Sequence, residues 1–277
     1  MRSGSASSEF SRGLIDRSGY ASEKFAEGYD RHRLSPPPAV LKILTLVAQA
    51  ERPRLVVDLG AGTGLSTRVW AGYAEQIVGI EANARMLKWA RRVTQEPNIR
   101  YVQAFASNTG LCAGSADLVT CAQAFHWMEP AAVLREAGRI LRSGGVFAAY
   151  DYDVPPAIHP EIDPAFAVHF AARRRARERL GLQAGSATWP KEQHLERIRE
   201  SGLFCSAREI VCHGFQEVDA VRVTGLAESL GGPRTIFGEA APEVEETFVH
   251  LREAAERVLA NRSWPMVVSY RIRLGVK

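Results

Sequence analysis

The sequence has little cysteine, little charge of either sign in excess, and no long apolar run. Four cysteines occur in 277 residues, Cys112, Cys121, Cys205 and Cys212. None forms a C-x-x-C pair and no Cys/His spacing matches a zinc site, which excludes a disulfide framework or a structural zinc as the organising device. Free, buried thiols in a reducing compartment are the expectation. A chain of this length buries roughly three quarters of its unfolded surface and needs no such staples. The longest apolar stretches fall short of the ~20 residues a membrane span requires. No apolar segment follows Met1, so no secretory leader is expected, and the expected location is cytoplasmic. The formal charge of +4 and the pI near 9.0 admit an anionic ligand without demanding nucleic acid. Internal repeats and low-complexity tracts are absent too, and with 46% apolar and 24% charged residues the chain is neither disordered nor collagen-like.

What is present is an alternation. Apolar runs at Leu55–Leu59, Gln76–Ile80, Ile99–Val102, Asp117–Cys121 and Gly145–Tyr150 are separated by helical patterns such as Met86–Val93 and Ala131–Leu141. Continuous apolar strands alternating with helices predict a parallel sheet covered on both faces, a doubly wound, Rossmann-like α/β fold. A helix is expected over 38–50 ahead of the sheet, behind Pro36-Pro37-Pro38. After Tyr150 the alternation stops. Helices are expected at 164–180, 190–201, 218–230 and 242–261, with strands around 207–213 and 267–274 that bring the mixed sheet to seven, the last antiparallel. Residues 1–8 are read as a tag or loose tail, 9–152 as a lid and ligand-binding core, and 153–277 as a helical acceptor cover plus the strands that complete the same domain.

The densest signal is Val56-Val57-Asp58-Leu59-Gly60-Ala61-Gly62-Thr63-Gly64, a strand running into a glycine turn and a helix start. Gly60 and Gly62 allow a sharp turn and a close ligand approach, and the following helix start offers unpaired N–H groups. The spacing is G-x-G-x-G rather than the dinucleotide G-x-G-x-x-G, and Asp58 stands where a pyrophosphate would be repelled. This favours a ligand with a cationic centre over a nicotinamide dinucleotide, which stays as a rival. Glu81 closes the second strand 23 positions after Asp58, the place for a carboxylate that accepts from ribose hydroxyls.

With Gly79-Ile80-Glu81-Ala82-Asn83-Ala84-Arg85-Met86-Leu87, Gly114-Ser115-Ala116-Asp117-Leu118-Val119, Gln123-Ala124-Phe125-His126-Trp127-Met128 and the Leu141–Gly145 turn, this stretch resembles a class I S-adenosylmethionine-dependent methyltransferase of type 11. Tyr29-Asp30-Arg31-x-Arg33 and Ala124-Phe125-His126-Trp127 are most similar to the trans-aconitate methyltransferase-like branch, which acts on small molecules. The resemblance implies S-adenosyl-L-methionine as cofactor, held by Asp58, Gly60, Ala61 and Gly62 at its methionine part and by Glu81 at the ribose. It implies Ala82, Met86 and Ala106 around the adenine, with Phe105 in a slot the family often fills with Asp and Asn108 as a substitute polar contact. Tyr29 and Arg33, with Tyr20 and Phe25, would belong to a lid over the cofactor, and Gln123 would reach cofactor or acceptor.

His126 and Tyr150, at strand ends where sites gather, are the candidate catalytic residues, and Trp127 and Tyr152 the candidate substrate-binding ones. Packing against neighbouring elements is the competing reading for each. Methyl transfer needs a nucleophile held near 3 Å from the methyl group, with no metal, and an acceptor carboxylate is already ionised at neutral pH. The expected acceptor is therefore a small anionic molecule, with O-methylation of a carboxylate in front. Transfer RNA is the alternative substrate, and a non-catalytic cofactor-binding protein the alternative class. Arg173-Arg174-Arg175-Ala176-Arg177-x-Arg179 spreads around its helix, where a solvated surface competes with an anion contact; isolated as it is, it speaks against nucleic acid. Neither a membrane partner nor an oligomeric state is indicated.

Overall fold

A computed structural model describes residues 23–181, 188–230 and 237–277. The 1–8 tail and Tyr20 lie outside these residues, as does the side chain of Phe25. The strands are β1 (Leu55–Leu59), β2 (Gln76–Glu81), β3 (Ile99–Gln103), β4 (Ala116–Ala122), β5 (Leu141–Tyr152), β6 (Ser206–Val218) and β7 (Trp264–Val276). They form one seven-stranded sheet in the order β3-β2-β1-β4-β5-β7-β6. The pairs from β3 across to β5 are parallel and β7 runs antiparallel to β5. The residues read as a turn at Leu141–Gly145 are already the start of β5, with a register shift opposite Ala116 and Leu118.

The helices are α1 (Glu23–His32), α2 (Pro38–Val47), α3 (Leu65–Arg68), α4 (Ala84–Val93), α5 (Pro130–Ile140), α6 (Ile162–Arg179), α7 (His194–Glu200), α8 (Ala220–Ser229) and α9 (Pro242–Leu259). Their starts follow from the sequence. Asn83 accepts from the amides of Arg85 and Met86 to cap α4, Glu129 caps α5 ahead of Pro130, and Asp219 accepts from Arg222 N to cap α8. The helix start after the glycine loop is the single turn α3. The chain then passes through i→i+3 turns at Trp70 and Ala71.

Chain contacts divide the protein into two compact units. One holds the chain through Leu34, Asp153–Ser186 and Phe215–Val268; the other holds Ser35–Tyr152, Ala187–Gly214 and Ser269–Lys277. The sheet unit carries the alternation read from the sequence. Val57, Leu59, Val78, Ile80, Val119, Phe147 and Ala149 are buried in one cluster with Phe125, Leu134 and Ile198, and each such side chain contributes ~1.5–3 kcal/mol of burial. Residues 188–200 group with the sheet unit.

In the helical unit α6 packs on α9, and α9 on α8. The arginine run divides within this unit. Arg173 is buried, donates to the Ala227 carbonyl at 2.8 Å and lies near the Phe237 ring; Arg179 pairs with Glu243 at 2.6 Å; Arg174 and Arg175 are exposed. The thiols also depart from expectation, for only Cys121 is buried, while Cys112 and Cys205 are exposed. Among the described residues no helix is long and apolar enough to cross a membrane, and no cluster of His, Cys, Asp and Glu is arranged to hold a metal ion.

Candidate active site

The strand order reverses between β1 and β4, which makes their C-terminal ends the switch point at which open α/β sheets bind ligands. The glycine loop leaves β1 there. Gly60, Gly62 and Gly64 have φ of +72°, +57° and +83°, a region that excludes most side chains. Gly60 and Ala61 donate to the Ile80 carbonyl at 2.8 and 3.0 Å, so the loop folds back across the end of β2. A Cβ at Gly60 would lie 2.7 Å from the Ala124 Cβ beyond β4, while at Gly62 the nearest side-chain atom, Met86 Cε, would be 3.8 Å away. The loop is therefore packed tightly on its β4 side and open at Gly62.

Asp58 is fully buried beneath this loop. Its Oδ2 accepts from Ser66 and Thr67 at 2.7 Å and its Oδ1 from Thr120 at 3.0 Å. Burial pushes its carboxyl up, against the pull of these three hydroxyls. Enclosed in this way, Asp58 ties the α3 turn to β4 and holds the loop's shape. Glu81 lies at the open side. Its Oε2 accepts from Gly62 N at 2.8 Å and its Oε1 from Asn83 N at 2.7 Å. Burial raises its carboxyl too, opposed by those amides, although part of the residue stays exposed. Each oxygen keeps a lone pair for a further donor. Ala82 and the buried Met86 follow at the α4 start. Phe105 and Ala106 form a tight turn after β3, closed by Asn108 N donating to Phe105 O at 2.9 Å; Phe105 is half-buried, Ala106 buried and Asn108 exposed. Thr63 Oγ1, in the glycine loop, is buried with no hydrogen-bond partner.

On the β4 side, Gln123 adopts φ +51° and its backbone N–H donates to the Tyr150 carbonyl. His126 and Trp127 follow in a short 3-10 turn with rings 5.1 Å apart. His126 Nδ1 is 3.9 Å from Asp151 Oδ1. Asp151 is the residue the sequence reading passed over. It is buried, with Lys191 Nζ 2.8 Å from Oδ1 and the Arg273 guanidinium 3.4 Å from Oδ2.

Tyr150, expected among the catalytic residues, is in the core. It is 1% exposed, its hydroxyl meets the Trp70 indole, and burial pushes its phenol well above the ordinary range. Tyr152, on the same face of β5, packs edge-on against Tyr270, whose hydroxyl donates to Ser35 O at 2.9 Å. Tyr29 and Arg33 belong to the helical unit, where the Arg33 guanidinium lies 4.6 Å above the Tyr29 ring and donates to Ser229 O at 3.1 Å. Asp58, Gly60, Ala61, Gly62, Glu81, Ala82, Met86, Phe105, Ala106, Gln123, His126, Trp127, Tyr150 and Tyr152 share the sheet unit.

A three-hydroxyl anchor under a glycine turn, with a carboxylate at the next strand end, is the geometry of a nucleoside-binding loop in a doubly wound sheet. Residues 57–149 match the methyltransferase domain family. The chain is 29% identical over 141 residues to the uncharacterized methyltransferase YcgJ of Bacillus subtilis, covering 49% of this chain and 52% of that protein. It is 30% identical over 147 residues to CRG1 of Saccharomyces cerevisiae, named as an S-adenosylmethionine-dependent methyltransferase, covering 51% and 50%. The chain thus spans about half the length of these relatives. A solved chain from Anaeromyxobacter dehalogenans, assigned to the type II methyltransferases, shares the fold at a TM-score of 0.66 and 23% identity, over 88% of this chain and 97% of that one. The chain shares its fold with that solved methyltransferase chain, and the matched stretch supports a methyltransferase domain.

Proposed function

We propose that the protein is an S-adenosylmethionine-dependent methyltransferase that acts on a small anionic molecule, with O-methylation of a carboxylate as the reaction. The observation that carries the cofactor is Glu81, a carboxylate that bridges Gly62 and Asn83 beside an open glycine turn. The residues fit the group. Glu81 keeps lone pairs for ribose hydroxyls, Gly62 has space above it, and Thr63 offers a buried hydroxyl that lacks a partner. Ala82, Met86, Phe105 and Ala106 would border the adenine, as the type 11 resemblance implies. When bound, the cofactor supplies an electrophilic sulfonium methyl group.

The chain's own part is then to position and to exclude water. Asp58 holds the loop in shape from below. Gln123, His126 and Trp127 stand at the β4 end, where an acceptor would lie. A carboxylate acceptor requires no proton removal, so the sealed Tyr150 phenol is not needed as a base. The trans-aconitate methyltransferase-like branch is the branch this reading favours. The test is transfer of tritiated methyl groups to a panel of organic acids, with bulk transfer RNA in parallel. Base-labile label in the acid fraction, the signature of a methyl ester, is the expected result. Label in RNA would replace the acceptor class, and cofactor binding without transfer to any acceptor would favour the non-catalytic reading.

A further inference from the structure

Around Asp151 the sheet unit gathers a cluster of charged side chains. Lys191, Arg271 and Arg273 face Asp151 and Glu209: Lys191 Nζ is 2.8 Å from Asp151, Arg273 is 3.4 Å from Asp151 and 2.8 Å from Glu209, and Arg271 is 3.5 Å from Glu209. Asp151 and Arg273 are enclosed, with side chains 8% and 7% exposed, whereas the Lys191 side chain is 34% exposed.

Lys191 is brought to the strand ends by its backbone. Trp189 N donates to His126 O at 2.8 Å and Arg197 donates to Pro190 O at 2.9 Å, which clips the chain on both sides of Pro190. The ammonium then donates to Gln123 Oε1 at 2.8 Å. This bond fixes the Gln123 amide, since an ammonium has no lone pair and must meet the oxygen. The amide nitrogen is left on the other side, buried and without an acceptor. Gln123 is also held at φ +51°, an unfavourable conformation for a residue with a side chain. The Gln123 bond engages one of the three ammonium hydrogens, and Asp151 Oδ1, 2.8 Å away, meets the ammonium as an ion pair without an aligned hydrogen bond, so the ammonium keeps a donor to offer. A buried amide donor and a spare ammonium donor converge at the ends of β4 and β5. What they lack is an anion with at least two acceptor oxygens, and a carboxylate answers that in charge and valence.

We propose that Lys191 and Gln123 form a carboxylate-binding site, with Asp151 as the internal anion that holds Lys191 in place until the ligand arrives. The proposal rests on the methyltransferase reading for the source of its ligand. The carboxylate comes either from the methyl acceptor, the source we favour, or from the amino-acid end of the cofactor.

The test is calorimetry on the full chain, wild type against Lys191→Met, Lys191→Arg and Asp151→Asn. The probes are S-adenosylhomocysteine first, then succinate and citrate titrated with and without it, with succinamide as the uncharged control. The expected result is that one of the two carboxylates binds, succinamide does not, and Lys191→Met weakens that binding at least tenfold while S-adenosylhomocysteine binds as before. Lys191→Arg keeps most of the affinity. Asp151→Asn tightens it, because the ammonium loses its internal competitor; a purely structural ion pair would not move in that direction. A tenfold loss of S-adenosylhomocysteine affinity in Lys191→Met, with adenosine unaffected, would support the same site with the cofactor's carboxylate as its ligand. The proposal is overturned if a folded Lys191→Met binds S-adenosylhomocysteine and both carboxylates within twofold of the wild type, or if neither carboxylate binds the wild type and S-adenosylhomocysteine is indifferent to Lys191. Failure of the wild type to bind S-adenosylhomocysteine, with succinate or citrate still bound through Lys191, would remove the methyltransferase reading and keep the anion site.

Discussion

Gly60→Ala and Gly62→Ala, made separately, divide backbone strain from lack of space in the loop. Both glycines have positive φ, +72° and +57°, so either alanine incurs the left-handed penalty, about 1–2 kcal/mol. At Gly62 little else changes, because the new methyl would sit 3.8 Å from Met86 Cε, in ordinary contact. At Gly60 it would sit 2.6 Å from Met128 Cε and 2.7 Å from Ala124 Cβ. The methionine end can swing away. Ala124 has no rotamer to change, so the turn after β4 must shift, an overpacking cost of about 1–3 kcal/mol. The expected losses are thus about 1–2 kcal/mol for Gly62→Ala and about 2–5 kcal/mol for Gly60→Ala. Urea unfolding followed by tryptophan fluorescence reads them, since Trp70, Trp89, Trp127 and Trp189 all lie in the sheet unit. Ligand affinity should follow the opposite order relative to stability, with Gly62→Ala losing S-adenosylhomocysteine affinity out of proportion to its small unfolding cost. Equal destabilisation by the two variants, or a larger one at Gly62, would refute the assignment of the packed and open sides of the loop.

Two further predictions concern buried groups. His194 is fully buried against Phe125, 4.7 Å between rings, and burial, then Arg197, Arg273 and Lys191, push its pKa down to about 3. The folded state keeps it neutral while the unfolded chain protonates it near 6.5. Its share of stability is complete above that pH and is lost as pH falls from 6.5 towards 3, about 2 kcal/mol by pH 5. His194→Gln should flatten the urea midpoint between pH 7 and pH 5, and an unchanged slope would contradict the assignment. Tyr150→Phe removes a sealed hydroxyl that has no hydrogen-bond partner, so it should leave stability unchanged or slightly raised and leave the methyl-transfer rate essentially unaltered. A rate loss without an unfolding cost would return Tyr150 to the reacting centre.

The sheet was readable because its strands are buried on both faces, which leaves continuous apolar runs such as Leu55–Leu59 and Ala116–Ala122. The glycine turn and Glu81 were readable because both sit at strand ends with a fixed sequence distance between them. At the β5 end the alternation of the strand decides what each side chain meets. Successive strand residues alternate faces, so Tyr150 and Tyr152 share one side while Asp151, between them, meets Lys191 and Arg273 on the other. Aromatic side chains drew the attention and the carboxylate did not. Lys191 and Arg273 left no local signal at all: they lie 68 and 122 positions from the Gln123 and Asp151 atoms they contact, and only the folded sheet brings them there. Arg173 looked like one of five equivalent surface cations, and tertiary packing alone singles it out for burial.

The central claim is that Glu81 and the open glycine turn bind the nucleoside of S-adenosylmethionine. Calorimetric titration of S-adenosylhomocysteine into the wild type and Glu81→Ala tests it most directly. The account predicts a dissociation constant on the order of micromolar for the wild type and a loss of about tenfold or more in the variant, the value of one charge-assisted hydrogen bond to a ribose hydroxyl. Undiminished binding by Glu81→Ala, or binding of a nicotinamide dinucleotide in place of S-adenosylhomocysteine, would contradict it.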